Sequence, residues 1–329
     1  MTVATLPRLG FLGVGWIGRN RMEALVRDGL AQVAAVADPQ PEALEAVAEL
    51  VPRVERADSI EALLEHELDG IVIATPSALH AEQATAALER GAAVFCQKPL
   101  ARDAEETRRV LAAARRNDRL LGVDLSYRHV EALRAAQAAV RDGEIGRLHS
   151  LDLVFHNAYG PDKPWFTQPQ LSGGGCVIDL GTHLVDLALW LTGAGEYEVE
   201  TARTLALHGH EVEDNATAEL SLGEEEVRAR LACSWFQSAG GECAFECTAW
   251  GTEGAVSVRN VGGSFYDFRA ELRRGTSAEP LVEPPDAWGG RAIGSWATRL
   301  ASDRGYDPAA DELQLLARVI DDVYAEAGR

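Results

Sequence analysis

The stretch Gly13-Val14-Gly15-Trp16-Ile17-Gly18 follows directly on a short apolar run, Arg8–Leu12, and precedes a helical pattern. In such a G-x-G-x-x-G pattern the first glycine permits a tight turn, the second admits a pyrophosphate, and the third lets helix pack on strand. The helix N-terminus then offers free N–H groups to phosphates. Asp38 ends the next apolar run, where a carboxylate binds ribose hydroxyls and repels a 2′-phosphate. The sequence therefore predicts a site for NAD rather than NADP, although an Asp before Pro39 is also an ordinary turn residue.

Alternating strand and helix patterns continue to residue 124 and predict a doubly wound parallel sheet. From Glu196 to Arg274 strand follows strand without helices, which predicts a large, open and mostly antiparallel sheet. A Pro/Gly-rich stretch then precedes a terminal helix over 309–327. We therefore predict an α/β chain with an N-terminal Rossmann domain over residues 1–124. Residues 125–329 are predicted to form an α+β domain for substrate binding and oligomerisation.

Composition excludes some classes of function. The formal net charge is −20, whereas nucleic-acid binding needs a basic face. No apolar run reaches the roughly 18 residues of a membrane span, so we expect a cytoplasmic protein. The five cysteines are scattered without a metal-binding spacing, which favours buried thiols over a metal site. The acidic charge is compatible with a cationic substrate such as an amino sugar, although a solvated surface that aids solubility is the favoured interpretation.

Two of the 31 basic residues are lysines, Lys98 and Lys163. Lys98 ends a predicted strand in Cys96-Gln97-Lys98-Pro99, and the carboxyl ends of parallel strands line the ligand site. Lysine, unlike arginine, is a compact point charge, and it can polarise a carbonyl or stabilise an alkoxide during hydride transfer. A surface lysine before a proline is the alternative interpretation.

A second cluster lies in Gly173-Gly174-Gly175-Cys176-Val177-Ile178-Asp179-Leu180-Gly181-Thr182-His183. Asp179 and His183 are four residues apart and share one helix face, so the carboxylate can orient the imidazole as a proton acceptor. The three glycines are expected to let the start of the helix approach a ligand closely. A solvated Asp and His on an ordinary helix would give the same pattern.

These motifs together resemble the Gfo/Idh/MocA oxidoreductases, the glucose–fructose oxidoreductase and inositol dehydrogenase family. The resemblance spans nearly the whole chain and includes Thr75-Pro76-Ser77-Ala78-Leu79-His80 and Gly143-Glu144-Ile145-Gly146. It implies Lys98, Asp179 and His183 as the catalytic set, with His183 exchanging the hydroxyl proton and Asp179 supporting it. It also implies homodimers or homotetramers formed through the second sheet, which would cover a large sheet face.

The resemblance also implies the residues that bind cofactor and substrate. The cofactor residues would be Gly13, Gly15, Trp16, Ile17, Gly18, Asp38, Thr75, Pro76, His80, Gln97 and Lys98, with His80 stabilising the cofactor loop rather than performing chemistry. The substrate residues would be Lys98, Arg128, Asn157, Tyr159, Trp165, Asp179 and His183. One departure is Gln97, where the family usually has Glu. Glutamine keeps the shape but removes a negative charge beside Lys98, so we expect a less strongly held ammonium.

The leading hypothesis is an NAD-dependent dehydrogenase or reductase acting on a hydroxyl/ketone carbon of a sugar, cyclitol or amino sugar. A second hypothesis is an NAD-dependent glycoside hydrolase that uses transient oxidation and elimination. A third is a cofactor-binding regulator without catalysis on the same scaffold. The joint presence of Lys98, Asp179 and His183 argues against the third.

Overall fold

The structure is a computed structural model that describes residues 6–328. The chain divides into two compact units. The first unit contains the part up to Ser126 together with Gly289–Gln314. The second contains Tyr127–Trp288 together with the part from Leu315 onward.

The first unit is built on a six-stranded parallel sheet with the order β3-β2-β1-β4-β5-β6. The predicted doubly wound parallel sheet is confirmed, although the short edge strand β3 was missed because it is exposed and charged. The strands are β1 (Arg8–Leu12), β2 (Gln32–Ala37), β3 (Glu55–Ala57), β4 (Gly70–Ile73), β5 (Ala93–Cys96) and β6 (Leu121–Val123). The connecting helices are α1 (Trp16–Asp28), α2 (Pro41–Leu50), α3 (Ile60–Leu63), α4 (Ser77–Glu89) and α5 (Ala104–Asn117).

A helix from late in the chain, Arg291–Ser302, completes the core of the first unit. Its Trp296 is buried in one cluster with Phe95 of β5, and their ring centroids lie 5.6 Å apart. Two sheet glycines make room for the indole, since a Cβ on Gly70 or Gly122 would lie 2.8 or 2.7 Å from Trp296. The helix therefore covers apolar side chains of the parallel sheet.

The predicted domain boundary needs one correction. The first break, after Ser126, lies two residues from the predicted end at 124. Residues 125–329, however, do not form one unit, because Gly289–Gln314 packs with the Rossmann sheet. The sequence interpretation missed the helix over 291–302. It therefore did not predict that a late part of the chain packs with the first unit.

The second unit contains an eight-stranded sheet with the order β14-β13-β12-β11-β7-β10-β9-β8. Strands β7 and β10 pair in parallel and all other neighbours pair antiparallel, so the predicted mostly antiparallel sheet is confirmed. The strands are β7 (Leu148–Asn157), β8 (Tyr197–Leu205), β9 (Asn215–Leu222), β10 (Val227–Ser234), β11 (Cys243–Gly251), β12 (Ala255–Asn260), β13 (Phe268–Arg274) and β14 (Ser277–Val282). The remaining helices are α6 (Glu131–Arg141), α7 (Pro169–Ser172), α8 (Thr182–Thr192), α9 (Arg291–Ser302, in the first unit) and α10 (Glu312–Glu326).

The helices α6 and α8 pack on one face of this sheet, α6 on β12 to β14 and α8 on β7 and β10. The opposite face is polar. Arg230 donates to Asp152 on the neighbouring strand at 2.6 Å, and the indole of Trp250 donates to the same carboxylate at 2.8 Å. This face therefore does not need another subunit to cover apolar side chains. The formation of homodimers or homotetramers through the sheet stays a prediction.

One helical stretch, Pro169–Thr192, has the length and mean hydropathy that a membrane span requires, which the sequence interpretation overlooked. The most apolar 18 residues of this stretch are 89% buried inside the protein. Core helices of folded domains have this property. The stretch carries Asp179 and His183, so its apolar residues pack the segment that holds the predicted catalytic pair.

Candidate active site

The glycine loop between β1 and α1 has the geometry that its sequence predicts. Gly13 has a left-handed φ of +84°, and a Cβ there would lie 2.6 Å from the carbonyl oxygen of Ala74. A Cβ on Gly18 would lie 2.2 Å from the carbonyl oxygen of Gly13. Neither glycine can therefore be replaced by a residue with a side chain. At Gly13 the turn forbids it, and at Gly18 the packing of α1 against the loop forbids it.

The N-terminus of α1 has the properties of a phosphate site. Among residues 6–328 no side chain caps this end at Gly15, and the first turn, which includes Trp16 and Ile17, carries no acidic residue. The first N–H groups of a helix have no partner within the helix, and the dipole there favours an anion. This end of α1, with Trp16 two-thirds exposed beside it, fits the pyrophosphate of a dinucleotide.

Asp38 joins the glycine loop to the end of β2. Its Oδ2 accepts a hydrogen bond from the N–H of Val14 at 2.7 Å, and its Oδ1 accepts one from the N–H of Gln40 at 2.8 Å. A carboxylate has about four lone-pair sites, so each oxygen can accept a further bond from a ribose hydroxyl. Asp38 therefore both shapes the loop and offers a charge where a ribose would lie.

His80 connects the turns that follow β4 and β5. Its Nε2 lies 2.7 Å from the carbonyl oxygen of Thr75, and its Nδ1 lies 2.7 Å from that of Pro99. Burial lowers the pKa of His80, which favours a neutral imidazole. Pro76 stands directly before α4, and the Thr75 hydroxyl donates to Gln83 at 2.6 Å. These contacts are compatible with the supporting role predicted for His80, which stays a prediction.

Gln97 belongs to a buried polar network. Its amide donates to Asp124 Oδ2 at 2.6 Å, and Arg21 Nε donates to the same oxygen at 2.6 Å. Ser126 donates to the other oxygen, Asp124 Oδ1, at 2.5 Å. A negative charge therefore does lie beside Gln97, on Asp124, although position 97 itself is neutral. The expectation that glutamine at position 97 leaves the Lys98 ammonium less strongly held stays a prediction.

Lys98 lies two residues beyond the end of β5. Strands β1, β4 and β5 are parallel neighbours, so their carboxyl ends lie at one edge of the sheet. The same edge therefore carries the glycine loop after β1, the Thr75 turn after β4 and Lys98 after β5. The structure thus brings together the predicted cofactor residues of the first unit.

In the second unit, Asp179 lies in a π-helical turn, Val177–Gly181, that leads into α8. Such turns are rare and occur frequently at functional sites. Asp179 Oδ2 accepts a hydrogen bond from the indole N–H of Trp235 at 3.0 Å. His183 is buried in the first turn of α8, and its ring centroid lies 4.7 Å from that of Tyr127. The support of His183 by Asp179 stays a prediction.

The three glycines before this turn are explained by packing within the chain. Gly173 has a left-handed φ of +86°. A Cβ on Gly174 would lie 2.0 Å from the hydroxyl of Tyr324, and one on Gly175 would lie 1.8 Å from the carbonyl oxygen of Glu213. The expectation that these glycines admit a ligand was wrong, because Tyr324 and Glu213 already fill the space.

Arg128 is engaged by another residue of the second unit. Its guanidinium donates to both carboxylate oxygens of Asp186, with Nη2 2.7 Å from Oδ1 and Nε 3.1 Å from Oδ2. Asp186 is 1% exposed, so the ion pair satisfies a charge that would be costly to bury alone. This geometry favours a structural role for Arg128 over the predicted contact with substrate.

Asn157 and the aromatic residues have surroundings that suit a ligand. Within the described chain, the buried Oδ1 of Asn157 has no hydrogen-bond partner. Tyr159 is half exposed, and Trp165 stacks on Phe166 with centroids 3.8 Å apart. Phe166 in turn lies edge-on to Trp235, which holds Asp179. Trp165 is therefore linked through Phe166 and Trp235 to Asp179, whereas Tyr159 and Asn157 remain candidates by exposure and chemistry.

His156 lies beside Asn157, but its side chain lies on the opposite face of the sheet, because side chains alternate along a strand. There its Nδ1 lies 2.7 Å from the hydroxyl of Ser234. Over residues 6–328, no group of three or more His, Cys, Asp or Glu is placed to hold a metal ion.

Five residues around the site were missed from the sequence: Arg21, Asp124, Glu213, Trp235 and Tyr324. Each acts through contacts between distant segments, which spacing along the chain does not reveal. The adjacent carboxylates Glu213 and Asp214 gave no signal in the sequence, because such residues are usually exposed. Both are at most 1% exposed here.

Comparison with known proteins defines the class. Residues 7–125 match the family model of the oxidoreductase family with an NAD-binding Rossmann fold, so the first unit is an NAD-binding domain. Residues 133–257 match the C-terminal domain of GFO/IDH/MocA proteins. The chain is 30% identical over 260 residues to 1,5-anhydro-D-fructose reductase of Ensifer adhaerens, covering 78% of this chain and 77% of that protein. This chain therefore belongs to the Gfo/Idh/MocA family of oxidoreductases.

Other relatives agree with this assignment. The chain is 32% identical over 201 residues to the rhizopine catabolism protein MocA of Rhizobium meliloti. That alignment covers 60% of this chain and 61% of MocA, so the chain spans about three fifths of that relative. The fold is similar to that of the 3-ketoreductase KijD10 of Actinomadura kijaniata, solved with NADP and TDP-benzene. The TM-score is 0.86 at 23% identity, with 98% of each chain covered.

Proposed function

We propose that this chain is an NAD-dependent dehydrogenase or reductase acting on a hydroxyl/ketone carbon of a sugar, cyclitol or amino sugar. The observation that carries the proposal is the position of Lys98. Within a family of sugar and cyclitol oxidoreductases, the lysine lies at the same sheet edge as the glycine loop for NAD. An ammonium there is suited to a substrate oxygen beside the cofactor.

Lys98 acts on the reacting oxygen of the substrate, and His183 acts on its proton. Bound NAD would supply the hydride chemistry. Lys98 binds the reacting oxygen and stabilises negative charge on it, and His183 takes the hydroxyl proton during oxidation or returns it during reduction. Asp179, held by Trp235, supports His183. His183 is 7% exposed, and the Tyr127 and Phe155 rings pack near it, so the access of water is limited.

The proposed substrate class is supported by relatives and by the second unit. Relatives include an inositol 2-dehydrogenase of Rhizobium meliloti and a D-apiose dehydrogenase of Paraburkholderia graminis. The free Oδ1 of Asn157 can accept a hydroxyl proton, and Tyr159 and Trp165 offer flat apolar surfaces to a sugar ring. A polyhydroxylated ring has both features.

A spectrophotometric screen for NADH formation tests the proposal. The panel consists of inositols, nucleotide-linked sugars and amino sugars, with Lys98→Ala as the inactive control. We expect NADH from at least one member with the wild-type protein. Glycoside cleavage without net NADH would instead support the hydrolase, and NAD binding without turnover of any panel member would support the regulator.

Asp38 is expected to set the preference for NAD. An Asp38→Asn variant keeps an acceptor for the Val14 N–H but removes the charge that repels a 2′-phosphate. A charge pair at about 4 Å is worth roughly 1–4 kcal/mol, so the ratio of NADP to NAD affinity should rise about tenfold or more. Calorimetric titration with both cofactors measures this without any substrate. An unchanged ratio would remove Asp38 as the ribose ligand.

A further inference from the structure

Glu213 is a buried carboxylate that binds the segment leading to Asp179. It lies two residues before β9 and is 1% exposed. Its Oε1 accepts hydrogen bonds from the N–H groups of Gly175 at 2.9 Å and Val177 at 3.0 Å. Its carbonyl oxygen accepts the N–H of Cys176 at 2.9 Å. Glu213 therefore binds three consecutive backbone N–H groups.

Tyr324, on α10, completes this arrangement. Its hydroxyl donates to Glu213 Oε1 at 2.8 Å and accepts a hydrogen bond from the backbone of Ile178. Burial and the nearby Glu213 carboxylate raise the pKa of Tyr324 well above its usual range, so the phenol stays protonated and remains a donor. The four N–H groups from 175 to 178 are thus bound by Glu213 and Tyr324.

The bound segment ends where the predicted catalytic residues begin. Asp179 is the next residue along the chain, and His183 follows four residues later. Buried N–H groups without acceptors are costly, and the start of a helix has several of them. Bonds to a carboxylate are roughly twice as strong as neutral ones. Glu213 therefore fixes the backbone on one side of Asp179, while Trp235 binds its side chain.

We propose that Glu213 and Tyr324 are positioning residues for Asp179 and His183, which makes the C-terminal helix α10 a part of the catalytic apparatus. This inference rests on the function proposed above. Neither residue needs to touch the substrate. Their effect is to hold the imidazole where the proton must be exchanged, and a misplacement of about 1 Å can cost 10²-fold in rate.

The test compares two tyrosines that each donate to a carboxylate: Tyr324 of α10 donates to Glu213, and Tyr197 donates to Asp322 of α10. Tyr324→Phe removes the donor to Glu213, and Glu213→Gln removes the charge. The matched control is Tyr197→Phe, because it also removes a phenol hydroxyl that donates to a carboxylate, that of Asp322 at 2.5 Å. Amide hydrogen exchange over residues 173–180, kcat, KM and the Kd for NAD are measured for each.

Tyr324→Phe should speed exchange of the 175–178 amides about tenfold and lower kcat by about 10- to 100-fold. Amide exchange in β7 and the Kd for NAD should stay within about twofold of the wild-type values. A general loss of stability would change both. Tyr197→Phe should behave as wild type. The inference fails if Tyr324→Phe retains wild-type exchange and kcat, or if Tyr197→Phe loses as much.

The two proposals fail in different ways. A wild-type protein that turns over no panel substrate ends the proposed function, and with it the catalytic part of this inference. Hydrogen exchange still decides whether Glu213 and Tyr324 hold the segment. Active wild-type protein with an unaffected Tyr324→Phe variant ends the inference alone. If Glu213→Gln does not fold, Tyr324→Phe is decisive because it removes one hydroxyl and keeps the ring.

Discussion

A Lys98→Ala variant is expected to lose about two to four orders of magnitude in kcat while it retains NAD affinity. Removal of one group that stabilises developing charge typically costs about 10²–10³-fold, and loss of an acid–base group costs about 10²–10⁴-fold. NAD affinity should persist because the glycine loop, the α1 N-terminus and Asp38 all remain in the variant. Lys98→Arg should recover little, since the guanidinium differs in shape and size.

His183→Ala is expected to reduce kcat by a similar factor. The matched control is His149→Ala, because His149 is an exposed histidine near the start of β7. If Lys98 and His183 act on the same oxygen, the double variant should lose little more than the worse single variant, since groups that act as a unit are not additive. Steady-state rates on an active panel substrate measure the two single alanine variants, the double variant and the His149→Ala control. Wild-type rates in Lys98→Ala and His183→Ala would sink the catalytic assignment.

Local patterns predicted the first unit well. The glycine loop, the strand ends and Asp38 depend on backbone geometry and on the rule that parallel strands share an edge, both of which can be read from spacing. The helix Arg291–Ser302 was missed although Ile293, Trp296 and Leu300 recur at helical spacing. A Pro/Gly-rich stretch before it favoured a loop, and only the contact with Phe95 shows where the helix packs.

The second unit shows what spacing cannot provide. The residues Asp179 and His183 were predicted from their separation, but spacing does not reveal that Asp179 accepts a hydrogen bond from Trp235, 56 positions away. The glycines at 174 and 175 were interpreted as room for a ligand, because glycine occurs where another group approaches the backbone closely. The approaching groups, Tyr324 and Glu213, come from distant parts of the chain. Sequence spacing shows that space is needed and does not show what fills it.

Arg21→Met is expected to lower the free energy of unfolding by about 3–5 kcal/mol, the usual cost of leaving one partner of a buried ion pair alone. Arg21 and Asp124 are 6% and 1% exposed, and their Nε to Oδ2 distance is 2.6 Å. Gln97 and Ser126 donate to the same carboxylate. Without the guanidinium these two neutral donors would have to stabilise a buried charge, so the turn that precedes Lys98 should loosen.

The matched control lies on the same helix. Arg19 pairs with Glu23 at 2.8 Å, but both side chains are 42% exposed, and such surface pairs contribute about 0–1 kcal/mol. Urea denaturation should therefore separate Arg19→Met from Arg21→Met by several kcal/mol. Adding Asp124→Asn to Arg21→Met should recover part of the loss, because the unpaired charge is then removed. Equal losses in the two arginine variants would show that water reaches Asp124 and that the network does not hold Gln97 and Lys98 in place.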